Sequence, residues 1–248
     1  MNILIIGSGA VGIGIGTSLI SQNANVDFYA TEKTAKIMKE NGIKRCGIFN
    51  EINISNDKFN VYTKYSTIPK NMYDFIIICS KITANKDIAQ NLNKNKAIFK
   101  KDTKILILQN GFGNDEFYLE YFNKDQVYCG RVITGFRRPE KNISEIMVHT
   151  APILLGSLQG QDVTCLKSIA KLINDSGIES ETTNELNMYL WAKMLFNCAL
   201  NPLGAILRVN YGKLSENEFS IEIMNNIIDE IFEVLKMANY KVQWDNSD

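Results

Sequence analysis

The chain opens with a short apolar run, Asn2 to Ile6, that passes directly into Gly7-Ser8-Gly9-Ala10-Val11-Gly12 and then into a helix-like stretch ending near Ser21. No other feature restricts the fold so strongly, because each glycine answers a different steric demand. Gly7 permits a tight turn, Gly9 lets a pyrophosphate approach the backbone, and Gly12 lets the helix pack closely on the strand while its N-terminal amides face the anion. The spacing predicts an α/β sheet with dinucleotide contacts from Gly7, Ser8, Gly9, Ala10, Val11 and Gly12. A glycine-rich strand-helix turn that holds no ligand is the plainer alternative. Gly14 and Gly16 continue the series inside the helix, where each costs roughly 1 kcal/mol against alanine, so they are read as further close packing.

Residues 25–30, NVDFYA, read as the second strand, and the side chains at its end select the cofactor. An acidic residue there holds the adenine ribose hydroxyls, and a basic one holds a 2′-phosphate. Thr31 and Lys33 suit a phosphate, Glu32 suits a diol, and all three also suit an exposed helix start. Ile43 to Tyr62 alternates loosely around Gly47 and reads as a strand pair without visible chemistry. Tyr73 to Ser80 is a continuous apolar run typical of a buried parallel strand, with Lys81 at its carboxyl end. Lys104 to Gln109 is the next such run and leads into Asn110-Gly111-Phe112-Gly113. Ligands of open α/β sheets bind beyond those ends, so Lys81 and Asn110 are candidates for cofactor contact, against a surface lysine and an Asn-Gly turn. Further strands are expected at 126–134, 145–149 and 153–155, with Arg137 and Arg138 after the first. A helix at 163–176 stopped by Gly177 and a strand at 178–182 follow. Beyond them the pattern is helical, which places the domain boundary near residue 181 and gives domains 1–181 and 182–248.

Leu190 to Leu207, LWAKMLFNCALNPLGAIL, carries polar residues where a core helix should have none. Lys193, Asn197 and Asn201 stack along one stripe, because each i+4 step overshoots a full turn by only ~40 degrees. Apolar neighbours cover most of the remaining circumference, so the helix is expected to be buried all round. A buried lysine or amide without a partner costs several kcal/mol, so the stripe is expected to face a polar cavity. The alternative is an interdomain helix whose lysine snorkels and whose amides cap neighbouring loops. Pro202 is expected to bend or end the helix just beyond Asn201. A long helix from about Ser215, opened by a Ser215–Glu218 capping box, carries Phe219, Ile223, Ile227, Ile231 and Leu235 on one stripe. It runs out in NYKVQWDNSD with that stripe still needing a partner, which suggests a homodimer through the C-terminal helices or a further covering segment.

Twenty-seven basic and twenty-seven acidic residues leave no net charge, and no lysine-arginine block is dense enough to track a phosphate backbone, so no nucleic-acid partner is expected. The N-terminus lacks a basic region and a cleavage site, and nowhere are eighteen apolar residues consecutive. A soluble cytoplasmic protein with no membrane partner is expected. Cys46, Cys79, Cys129, Cys165 and Cys198 are odd in number and without a C-x-x-C, which suits a reducing compartment. His149 is the one histidine, too few for a metal cluster, and its alternating surroundings read as sheet. Acid-base chemistry therefore falls to lysine, a carboxylate or tyrosine.

GSGAVG, Lys81 after its apolar run, QNGFG at 109–113 and above all LWAKMLFNCALNPLGAIL resemble the ketopantoate reductase (2-dehydropantoate 2-reductase) family over nearly all of the chain. The resemblance implies an α/β protein with an N-terminal Rossmann-type domain that binds NADPH, followed by an all-helical domain that closes over a small 2-keto acid. It implies Lys193 as proton donor to the ketone, Asn197 and Asn201 as substrate-binding, and Asn110 between cofactor and substrate. The chemistry is consistent, because hydride delivery builds negative charge on oxygen, and a nearby ammonium both stabilises that charge and supplies the proton.

Two departures stand out. Members preferring NADPH often carry an arginine at the end of the second strand, where this chain has Thr31, and the residue three beyond Lys81 is Ala84 rather than the common glutamine. Thr31 and Lys33 are expected to substitute for that arginine. The family also continues with a Ser-Met segment and a Thr-Glu whose glutamate lies in the site. Residues 182–248 reach neither, so a truncated helical domain and slow turnover are expected. The expected function is NADPH-dependent reduction of 2-dehydropantoate to pantoate in pantothenate biosynthesis. The alternatives are a reductase of another 2-keto acid and a non-catalytic dinucleotide-binding sensor.

Overall fold

The computed structural model describes residues 1–241; residues 242–248, with most of the polar tail expected after the last helix, lie outside the described residues. The first apolar run forms β1 (Asn2–Ile6), and the glycine turn leads into α1 (Ala10–Ser21). The chain continues through β2 (Asn25–Tyr29), α2 (Glu32–Asn41), β3 (Ile43–Gly47), β4 (Ile52–Ile54), β5 (Val61–Tyr62), β6 (Tyr73–Ile78), α3 (Asn85–Lys94) and β7 (Phe99–Ile107). Then come α4 (Glu116–Leu119), β8 (Val127–Arg131), β9 (Thr134–Arg137), β10 (Ile143–His149), β11 (Ile153–Gly156), α5 (Lys167–Asp175) and β12 (Ser180–Thr183). Three helices follow: α6 (Leu186–Leu207), α7 (Tyr211–Leu214) and α8 (Glu218–Met237). The chain divides into two compact units, Met1–Asn184 and Glu185–Asp248. Residue 181, the expected boundary, lies inside β12, whose ladder on β11 runs from Ser180 to Thr183, and the units part only after that last rung.

The first unit holds an eight-stranded sheet in the order β12-β11-β8-β7-β6-β1-β2-β5. It is parallel from β5 across to β8 and reverses only between β8 and β11. Ile3 to Ile6 and Ile76 to Ile78 are buried whichever way their side chains point, which is why these strands read as unbroken apolar runs rather than as alternation.

A second sheet, β4-β3-β10-β9, joins residues 43–54 to residues 134–149. The expected pair over 43–62 divides here, with β3 and β4 in the small sheet and β5 in the large one. The expected strand over 126–134 divides too, into β8 in the large sheet and β9 in the small. A change of sheet leaves no mark in the apolar pattern when both halves are covered. The small sheet packs on α1 at Gly14, where an added Cβ would fall 2.7 Å from Phe136 and from Ser144 Oγ. Arg45 in β3 is fully buried, and its guanidinium donates to the Ser18 hydroxyl, to Ser176 Oγ at 3.2 Å and to the Ser176 carbonyl at 2.9 Å. Ser18 lies in the last turn of α1 and Ser176 caps α5, so the negative ends of two helices stand in for a carboxylate.

In the second unit Pro202 is expected to bend or end α6 beyond Asn201, and the helix does not end there but runs on to Leu207, because proline removes one donor and the bonds around it continue. The helix stops at Arg208, whose φ of 56° is left-handed, with the Val209 amide donating to the Gly204 carbonyl at 3.1 Å. Nor is α6 buried all round. Leu190, Ala192, Leu195 and Ala199 are buried, but Phe196 is 59% exposed and Ile206 75%, since within this unit its contacts run to α7 and α8. Asn217, not Ser215, caps α8 by accepting from the amides of Phe219 and Ser220 at 3.0 and 3.2 Å. Ser215 follows α7 directly and donates instead to the Gly212 carbonyl. Among the described residues α6 is the one helix long and apolar enough to cross a membrane. Lys193, Asn197, Asn201 and Pro202 along it, with α8 packed against it, mark the central helix of a helical unit.

Candidate functional site

The glycine turn lies at the carboxyl end of β1, between the ends of β2 and β6. Gly7 has a φ of 103°, its amide donates to the Tyr29 carbonyl at 3.2 Å, and a Cβ on it would sit 2.4 Å from the Ser80 nitrogen. A Cβ on Gly12 would fall 2.1 Å from the Gly7 carbonyl oxygen. Gly9 behaves differently, with nothing within 4 Å of the space its Cβ would fill. It begins α1 without a side-chain cap and without an acidic residue in the first turn. Open space in front of uncapped amides at the positive end of a helix is what a pyrophosphate requires, so a dinucleotide fits this turn. Ser8 is buried beside the Tyr29 carbonyl, the Ala10 carbonyl accepts from Ser144 Oγ at 2.7 Å, and Val11 is half-buried.

Lys81 and Asn110 emerge on the same sheet edge as this turn, because β1, β6 and β7 are parallel neighbours. Both are exposed. Beneath them runs a buried amide network. Gln109 Nε2 donates to the Ser80 carbonyl at 3.0 Å and to Asn85 Oδ1 at 2.7 Å. Asn85 Nδ2 donates to Asn114 Oδ1 at 3.2 Å, and Asn114 Nδ2 to the Asn110 carbonyl at 2.9 Å. The loops that carry Lys81 and Asn110 are thereby tied together through Asn85, which is 0% exposed. Tyr118 adds its hydroxyl to Asn85 Oδ1 at 3.4 Å, and burial holds its phenol protonated far above the ordinary range. Sequence reasoning missed Asn85, because a polar residue opening a helix reads as surface and its burial comes from α3 packing on α4.

At the end of β2, Thr31 is exposed and donates through Oγ1 to Thr34 Oγ1 at 3.2 Å, while Glu32 and Lys33 stand exposed in the first turn of α2. In the second unit α6 sets Lys193, Asn197 and Asn201 on successive turns of one stripe, the first two half-buried. Asn201 Nδ2 donates to Asn197 Oδ1 at 3.3 Å, and the Tyr211 hydroxyl donates to Asn201 Oδ1. Tyr211 went unforeseen, since the connector residues around it carry no periodic signal. His149 pairs through Nδ1 with Thr134 Oγ1 at 2.9 Å and meets Phe49 edge-on, a structural role. Among the described residues no cluster of His, Cys, Asp and Glu could hold a metal, and the five cysteines are free.

The sequence matches the family model described as "Ketopantoate reductase PanE/ApbA" over residues 3–168 and that of its C-terminal region over residues 185–247. It is 32% identical over 252 residues to a 2-dehydropantoate 2-reductase of Aquifex aeolicus, covering 100% of this chain and 76% of that one. With a 2-dehydropantoate 2-reductase of Pyrococcus horikoshii it shares 28% identity over 231 residues, 93% of this chain and 72% of the other. Among solved structures, a 2-dehydropantoate 2-reductase from Geobacter metallireducens superposes with a TM-score of 0.83 at 23% identity, covering 96% of this chain and 75% of that one. D-mandelate dehydrogenase with NADH and anilino(oxo)acetate superposes at 0.85 and 21%, covering 98% and 76%. These two likenesses speak to the fold, and the sequence matches speak to descent: the chain belongs to the ketopantoate reductase family.

Proposed function

We propose that this protein reduces 2-dehydropantoate to pantoate in cytoplasmic pantothenate biosynthesis, with NADPH as cofactor and Lys193 as proton donor. The observation that carries the reading is that both family models match a chain in which the glycine turn and the Lys193 stripe are each intact. The names of the curated relatives support the same reaction. The first unit, Met1–Asn184, then serves as the NADP-binding domain and the second, Glu185–Asp248, as the substrate and homodimer domain.

NADPH, when bound, supplies a hydride to the ketone carbon. The amides opening α1 would hold its pyrophosphate, and Lys81 and Asn110 would meet it from the neighbouring strand ends. Lys193 donates a hydrogen bond to the ketone oxygen and passes its proton there as the C=O becomes C–OH, then regains a proton from solvent. Asn197 and Asn201 orient the substrate without adding charge. The Oδ1 atoms of both already accept hydrogen bonds, which leaves the amide hydrogens of Asn197 to meet an anionic substrate.

The test is NADPH oxidation with ketopantoate, with pyruvate and with no keto acid, repeated with NADH. Turnover is expected to be fastest with ketopantoate and to show a higher kcat/KM for NADPH. Equal kcat/KM for the two dinucleotides would overturn the cofactor assignment. Turnover with none of a broad keto-acid panel would overturn the enzymatic reading and favour a dinucleotide sensor.

A further inference from the structure

Arg138 follows β9 and reaches across to the start of α2. Its Nη2 donates to Thr34 Oγ1 at 3.3 Å and to the Lys141 carbonyl at 2.5 Å. Thr34 is buried and also accepts from Thr31 Oγ1, so one hydroxyl joins the guanidinium to the residue standing at the end of β2. The neighbouring Arg137 pairs with Glu145, whereas the hydrogen bonds of Arg138 go to neutral oxygens, and among the described residues its Nε is buried without a partner. Burial pulls its pKa below the ordinary guanidinium value, as expected for a cation stripped of some water and given no anion in return. Such a group is stabilised by a ligand that brings the missing charge. Lys33 is exposed on the first turn of α2 and has no such seat.

We infer that Arg138, delivered from the small sheet and seated on Thr34 beside Thr31, is the residue that recognises the 2′-phosphate of NADPH. The inference rests on the NADPH reading above and replaces Lys33 as the cation of that site. Among the described residues Arg138 Nη1 makes no hydrogen bond, which leaves its donors for phosphate oxygens, and the Thr31 hydroxyl stands alongside. Charge-assisted contacts of this kind are the strong ones, so the preference should be lost when the guanidinium is removed.

The experiment is calorimetric titration of the full chain with 2′,5′-ADP and with 5′-AMP, for the natural protein and for Arg138→Gln, Arg138→Lys and Lys33→Ala. Arg138→Gln is expected to weaken 2′,5′-ADP about tenfold or more while leaving 5′-AMP nearly unchanged, with Arg138→Lys in between and Lys33→Ala close to the natural protein. The readout is the ratio of two affinities in one protein, so a general loss of folded material cancels. Equal weakening of both ligands, weakening of neither, or a larger loss from Lys33→Ala would overturn the inference. A natural protein that binds the two ligands alike would overturn it as well, together with the NADPH assignment. Failure of ketopantoate turnover alongside a selective loss of 2′,5′-ADP would overturn only the substrate reading.

Discussion

The first unit closes its glycine turn to within the width of an atom, whereas the second leaves one side of its helices to solvent. A methyl group on Gly7 or Gly12 would collide with backbone at 2.4 or 2.1 Å, while in the helical unit Phe219 is 66% exposed and Met237 86%. Under the proposed function the difference follows from what each would recognise. A diphosphate is a fixed shape read by backbone amides, which must be held rigidly and so demand glycine and a buried sheet behind them. The proposed substrate contacts come from long side chains on one helix, which can adjust by rotamer, so the surrounding packing can be looser.

Four substitutions would break or sharpen this contrast. The largest effect is expected from Lys193→Ala, which should lower kcat by about 10² or more while NADPH affinity, read by fluorescence titration, stays as it was. An unchanged kcat would make the lysine structural and leave the helical unit without its proposed chemistry. Next, Gly9→Val and Gly12→Val should separate binding from stability inside one turn. The first should cost tenfold or more in NADPH affinity, on the order of 1.4 kcal/mol, with little change in melting temperature, because its side chain enters open space meant for the pyrophosphate. Gly12→Val should instead lower stability by about 1–3 kcal/mol, because its side chain must displace the Gly7 carbonyl. Matching melting temperatures for the two variants would erase that distinction. The smallest effect is expected from Asn217→Ala, which removes the α8 cap and should cost about 1 kcal/mol. Hydrogen exchange should then quicken in α8 and not in β1, and equal quickening in both would mean that the two units are not separately stable.

What could be read in advance was what is local. The strand, turn and helix at the N-terminus, the buried parallel runs and the Lys193 stripe are each written within about twenty residues of continuous sequence. The small sheet was not legible, because β3 and β10 pair across residues 43–47 and 143–146 and neither segment names its partner. Asn85 and Arg138 escaped for the same reason: one is buried where α3 packs on α4 and bonds to Asn114, and the other gains its meaning from a threonine on α2. The cap of α8 lies two residues beyond the expected Ser215, since α7 takes up the residues around Ser215 and a capping pattern cannot say which of two adjacent helices it serves.

The buried guanidinium of Arg45 has a consequence for how the first unit comes apart. Its partners belong to α1 and to the end of α5, and it is itself part of β3, so lifting the small sheet away would break all three hydrogen bonds of a buried charge before water could replace them. Partial opening at that seam therefore costs more than the lost apolar contacts alone. The two sheets, though they share no strand, are therefore expected to melt as one cooperative body, and a thermal scan should show one transition for them in place of two.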